Sequence, residues 1–184
     1  FSDLRGFTAM SERLPPEVLI ATLNEHFEVM TTAITAHGGQ VMKLIGDGVL
    51  AVFPTHLHDG ACPFAGCAAL DAARDAERGM AALNARRAER GDEALSYGLG
   101  LHAGEVLYGN IGAPARLDFT VIGQAVNQAS RLEVLARDLG QTVAISSTIA
   151  DAVAMIGRPL TPLGRFHLRG LAAEEEVYTL PQLA

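Results

Sequence analysis

Leu19, Leu23, Phe27, Met30 and Ile34 recur at helical spacing and put one apolar stripe on a helix over residues 15–36. Pro15 and Pro16 suit its first turn, and His37-Gly38-Gly39 stops it. The period then changes. Residues 40–45 and 49–53 are apolar runs parted by Gly46-Asp47-Gly48, which predicts a hairpin of two buried strands. Residues 59–90 predict a long helix. Its alanines (Ala61, Ala65, Ala68, Ala69, Ala72, Ala73) allow close packing, and its tail "ARRAERGDE" reads as a solvated end. Ahead of these lie the tail of a strand at 1–3 and a short helix at 5–12. Behind them come strands in "LSYGLGLHA", "EVLYGNIG" and "LDFTVI", then a helix over 124–138 ended by Gly140. A strand at 142–146, a helix at 147–155 and strands near 164–169 and 175–180 complete the chain.

Up to residue 111 the order is β-α-α-β-β-α-β-β. That order predicts an α+β fold with a ferredoxin-like βαββαβ core and a C-terminal extension. The 184 residues suit one domain, 1–184, with a core that needs no disulfide staples. A net charge of −7 argues against broad nucleic-acid binding, so no nucleic-acid partner is expected. It leaves room for one nucleotide, because a metal offsets phosphate charge locally. Cys62 and Cys67 are too few for a zinc site and read as free thiols in a reducing cytoplasm. No run of about 18 apolar residues occurs, so a cytoplasmic domain is expected. The start at Phe1, already in a strand-like pattern, suggests that the protein extends N-terminally, with room for a sensor or membrane domain upstream.

Several residues carry chemistry. Asp3 stands at a strand end before a Gly-containing turn into a helix. It is either a helix cap or a ligand for a divalent cation beside phosphate-binding amides. Asp47 is either a turn residue or a second carboxylate converging with Asp3 on Mg²⁺ or Mn²⁺. Lys43, four residues before it, is either its ion-pair partner or a group with a separate task. Asn127 and Arg131 are spaced i, i+4 and share a helix face. They form either a polar exterior, with Arg131 paired to an acid, or a site for an anionic centre.

"FSDLRGFT", "KLIGDGVLAVF", "LHAGEVLYGNIG" and "TVIGQAVNQASRLE" follow one another in this order. Together they resemble the catalytic domain of class III adenylate/guanylate cyclases along nearly the whole chain. The resemblance implies the class III nucleotide cyclase fold and conversion of ATP to 3′,5′-cyclic AMP and pyrophosphate. It implies two Mg²⁺ or Mn²⁺ ions per site, held by Asp3, Asp47 and the carbonyl of Leu4. Amides near Gly6, Phe7 and Thr8 would hold phosphates, with Arg169 as the basic residue for the triphosphate. Lys43 and Thr120 resemble the base-reading pair. Asn127 and Arg131 resemble the catalytic residues that orient ribose and stabilise the transition state.

Two positions depart from the commoner pattern. Thr120 stands where many members have aspartate, as in a subgroup with some bicarbonate-responsive members. Glu105 stands where some mammalian domains have a triphosphate-binding arginine, which shifts phosphate binding toward Arg169. Family members work as head-to-tail dimers. One chain supplies the metal aspartates and the other the base-reading and transition-state residues. This chain holds both sets, so a homodimer with two equivalent sites is implied. Lys43 and Asp47 would then serve opposite sites. The rival readings are a guanylate cyclase and a catalytically silent domain for dimerisation or nucleotide sensing. A diguanylate cyclase lacks support, since "IGDGV" replaces its GGDEF-type hairpin.

Overall fold

The helical stripe of residues 15–36 closes as α2 (Pro16–Ala36), and the alanine-rich face to its C-terminal side as α3 (Ala65–Arg90). A computed structural model of the chain describes residues 1–55, 65–113, 116–169 and 173–181. The expected helix start at 59–64 and Cys62 lie outside the described residues. The chain forms two compact units, Asp3–Tyr97 and Gly98–Ala184, the latter joined by Phe1–Ser2.

In the unit Asp3–Tyr97, β1 (Ser2–Leu4) leads into α1 (Phe7–Arg13) and α2. The hairpin of β2 (Gln40–Ile45) and β3 (Gly48–Val52) and then α3 follow. The strand order is β2-β3-β1. The Arg5 amide donates to the Ser96 carbonyl at 2.8 Å, which sets the start of β4 (Tyr97–Leu101) beside β1. This is the ferredoxin-like order that the βαββαβ reading requires. Helices α2 and α3 pack against each other. Ala69, Ala72, Ala73, Ala76, Met80 and Leu83 are buried on α3, and Met30 and Ala33 on α2. Small side chains let the two helices approach closely, and each long one buried between them contributes about 2 kcal/mol.

The other unit carries the hairpin of β5 (Leu107–Ala113) and β6 (Arg116–Ile122), followed by α4 (Gln124–Asp138). Next come β7 (Val143–Ser146), α5 (Ser147–Ala154), β8 (Thr161–Phe166) and β9 (Glu175–Thr179). The strands run β4-β7-β9-β8, and β5-β6 stand as a separate pair. β7 is parallel to β4 and antiparallel to β9, and all four of its residues are buried. Leu132 and Ala136 of α4 pack with Ala144, Leu168 and Val177 to form the core.

Four features differ from the sequence expectation. First, only β3 of the hairpin is buried; Lys43, Leu44 and Ile45 of β2 are exposed. β2 is the last strand in the order, and an apolar run marks a strand able to be covered without supplying the cover. Second, the end of α3 is not wholly solvated. Arg87 is buried, donating to the Glu93 carbonyl at 2.7 Å and pairing with Glu25 of α2. A guanidinium that accompanies its carboxylate inward removes most of the penalty of burying either alone. Third, Cys67 is buried and disulfide-bonded rather than a free thiol. Fourth, β8 ends at Phe166, so Arg169 sits in the following turn.

His26 of α2 is fully buried, and neither ring nitrogen has a hydrogen-bond partner. Its ring lies 5.8 Å from that of Phe27 and 6.3 Å from that of Tyr97, whose hydroxyl is also buried without a partner. Burial lowers the His26 pKa to about 4. Between the ordinary value and 4 the unfolded chain takes up a proton that the folded chain refuses, so stability falls with falling pH in that window. Urea unfolding of the wild type and His26→Leu should show this. The wild type should lose about 2 kcal/mol relative to the variant between pH 7 and pH 5. A pH-independent difference would contradict the account.

Candidate active site

Asp3 lies on β1, half-buried, between the buried Ser2 and Leu4. Asp47 lies in the turn that feeds β3, after Gly46 at φ 62°, a left-handed conformation that favours glycine. β3 is the neighbour of β1, so the two carboxylates stand on one strand and at the foot of the next. Adjacent strands are about 4.8 Å apart, which makes convergence a matter of register.

Gly6, at φ 72°, turns the chain from β1 into α1. The first intrahelical bond is Met10 N–H to the Gly6 carbonyl at 3.0 Å. The amides of Phe7 and Thr8 therefore precede the helical ladder, and no acidic side chain occupies the first turn. The carboxylate of Asp3 and the helix-start amides of Phe7 and Thr8 thus lie within six residues of each other in sequence.

Two carboxylates and the Leu4 carbonyl are hard oxygen donors, suited to Mg²⁺ or Mn²⁺. Among the described residues no group of three or more His, Cys, Asp or Glu could hold a metal. Three protein oxygens are fewer than the about six ligands such a cation takes, so a cation held by them would need further oxygen ligands.

Lys43 is exposed on β2, opposite Leu50, beside an irregularity in the ladder between Val41 and Lys43. Thr120 is half-buried on β6 and opposite Gly109, so no side chain stands across from it. α4 follows Gly123, ends near Arg137 and is closed by Gly140 at φ 66°. It buries Leu132, Glu133 and Ala136. Asn127 stays exposed and Arg131 half-buried. Among the described residues Arg131 makes no salt bridge, which removes the reading of a guanidinium paired to a neighbouring acid. Arg169 and Glu105 are exposed in loops. Asp3, Leu4, Gly6, Phe7, Thr8, Lys43 and Asp47 thus belong to one unit, and Thr120, Asn127, Arg131 and Arg169 to the other.

Residues 1–182 match the adenylate and guanylate cyclase catalytic domain family. The chain belongs to that family. It is 38% identical over 151 residues to an adenylate cyclase of Anabaena cylindrica, covering 81% of this chain and 29% of that protein. The family domain thus spans under a third of that relative's length. Its fold is similar to that of the adenylyl cyclase CyaB from P. aeruginosa, with TM-score 0.86 and 28% identity over 100% of this chain and 92% of that one. It is also similar to the guanylyl cyclase Cya2, with TM-score 0.80 and 30% identity over 96% of this chain and 87% of that one. The fold is therefore that of class III nucleotide cyclase domains.

The sequence reading passed over a buried carboxylate, Glu133, and over His102, which is half-buried and bonded to the Gln128 side chain. The signal for His102 was the alternation in "GLGLHAG", which has meaning only once a helix is known to lie on it; Glu133 lies on the buried face of that helix.

The two arginines separate cleanly in their expected effects. Arg131→Ala should leave the unfolding midpoint within about 2 °C of wild type, because no pairing is lost. Arg87→Ala should cost about 3 kcal/mol and lower the midpoint by at least about 6 °C. Calorimetry of both variants checks this; equal losses would contradict it.

Proposed function

We propose that residues 1–184 act as an adenylate cyclase catalytic domain. It would convert ATP to 3′,5′-cyclic AMP and pyrophosphate at two equivalent sites shared between two copies of the chain. The observation that carries this reading is Arg131. An always-charged guanidinium, half-buried one helical turn from Asn127 and without a salt bridge among the described residues, fits an anion that arrives with the substrate.

In this reading Asp3, Asp47 and the Leu4 carbonyl hold two Mg²⁺ or Mn²⁺ ions. When bound, the cations supply acidification of the ribose 3′-hydroxyl and neutralisation of the triphosphate. The amides at Gly6, Phe7 and Thr8 bind phosphate oxygens, and Arg169 adds a positive charge for the triphosphate. Asn127 holds the ribose so that its 3′-oxygen lies in line with the α-phosphorus. The 3′-oxygen bonds to that phosphorus as the bond to pyrophosphate breaks. Arg131 neutralises the charge that grows on the α-phosphoryl oxygens. Positioning and charge do most of the work, so Arg131→Ala should lower kcat roughly 10²–10³-fold.

The base is chosen by Lys43 and Thr120. A lysine ammonium donates to adenine N1, and a threonine hydroxyl accepts from the exocyclic amine. Guanine presents a donor at N1, which the ammonium opposes. A guanylate cyclase is the second reading, because the likeness to Cya2 is as close in fold and identity as that to a bacterial light-regulated adenylyl cyclase. The donor–acceptor pattern favours ATP, and a cytoplasmic setting would supply it.

Two apolar surfaces support assembly. On the β5–β6 hairpin Leu107 is 70%, Leu117 59% and Phe119 50% exposed, and on β2 Leu44 is 48% exposed. Side chains of this size leave water when a second copy covers them.

With Mn²⁺, kcat/KM for ATP should exceed that for GTP by at least about tenfold; a ratio at or below one would favour the guanylate reading. Asp47→Ala and Asn127→Ala chains, each inactive, should recover activity when mixed. About a quarter of wild type is expected, since half the dimers are mixed and each carries one intact site. No recovery, with mixed dimers present, would sink the shared site.

A further inference from the structure

Alternate residues of β4 and the loop after it read Gly98, Gly100, His102, Gly104. In extended chain such residues point to one face. Each of them meets α4. A β-carbon on Gly98 would lie 2.4 Å from Glu133 Oε1, and one on Gly100 would lie 2.0 Å from the Ala129 carbonyl oxygen. His102 bonds to the Gln128 side chain, while its buried Nδ1 has no partner. A β-carbon on Gly104 would lie 2.9 Å from that of Ala125 and 3.2 Å from His102 Nε2. The contacts descend α4 in order, from Glu133 through Ala129 and Gln128 to Ala125. At the helix start Gly123, at φ 149°, leaves a β-carbon position only 3.2 Å from the Glu105 carbonyl oxygen, so the loop is held against α4 there too.

We propose that Gly98, Gly100, His102 and Gly104 form a seat that sets the axial position of α4, and that Gly104 and His102 are positioning residues for Asn127. The three glycines allow the helix backbone to lie directly on the strand. His102, the one bulky member of the row, fixes it against sliding through Gln128, the neighbour of Asn127. α4 carries Asn127 and Arg131 at a distance of one turn, so any shift of the helix moves both together. A displacement of about 1 Å at a positioned reacting group is enough to cost up to 10²-fold in rate. The inference rests on the cyclase reading for its kinetic consequence, but the seat itself does not.

The test is a compensation cycle in the full chain. Gly104→Ala adds a methyl group against Ala125, and Ala125→Gly removes the group it meets. With ATP and Mn²⁺, Gly104→Ala should lower kcat roughly 10–100-fold while KM stays within about twofold. Ala125→Gly alone should stay within about threefold of wild type, and the double variant should regain most of the loss. An unchanged kcat in Gly104→Ala, or a double variant no better than it, overturns the seat. Amide hydrogen exchange over residues 124–131 gives a readout that needs no activity. Exchange should be faster in Gly104→Ala and restored in the double variant; unchanged exchange overturns the seat whether or not the chain is a cyclase. If the wild type makes no cyclic nucleotide, the functional reading fails and exchange alone decides this one. His102→Ala and His102→Gln serve where Gly104→Ala does not fold. Loss of kcat with alanine and its return with glutamine support the seat, and equal loss in both overturns it.

Discussion

The Ala129 carbonyl oxygen of α4 occupies space that a β-carbon on Gly100 would need. The unit Gly98–Ala184 depends on that close approach. A helix that lies this near a strand cannot be rotated or slid without collision, so its outer face is set by its inner one. Glu133 and Ala136 go inward, and Asn127 and Arg131 are left accessible. Rigid packing of the inner face is what gives a polar outer face a fixed aim.

The unit Asp3–Tyr97 solves a different problem. It brings Asp3 on β1, Asp47 in the turn before β3 and the helix-start amides of α1 into one unit. It does so with short devices: a three-residue strand, a left-handed glycine at Gly6, and a left-handed glycine at Gly46. The packing that supports them lies in the α2–α3 pair, tied by Arg87 and Glu25. His26 of α2 and Tyr97 of β4 are the cost within this unit, polar groups enclosed without partners. The buried His26, whose pKa burial lowers to about 4, makes this unit sensitive to acid.

Element type was largely legible because periods of 3.6 and 2 do not mimic each other over long segments. Gly123 and Gly140 bracketed α4 for the same reason that helices end at glycine. What could not be read was context. The apolar run at 40–45 gave no sign that β2 would be an edge with Leu44 and Ile45 uncovered. The tail "ARRAERGDE" gave no sign that one arginine would turn inward to Glu25, because that partner lies 62 residues away. Two cysteines five apart did not announce the disulfide at Cys67. On the site, residue identities came from the resemblance, and the structure added accessibility and pairing. Arg131 was legible as a candidate by its i, i+4 spacing from Asn127. Its lack of a salt bridge among the described residues was not.

On the proposed reading, one chain alone does not make a working site. Specific activity with ATP and Mn²⁺, followed across protein concentration alongside sedimentation, tests it most directly. The account predicts specific activity that rises with concentration in step with the dimer fraction and vanishes with the monomer. Constant specific activity down to concentrations where the chain sediments as a monomer would contradict it.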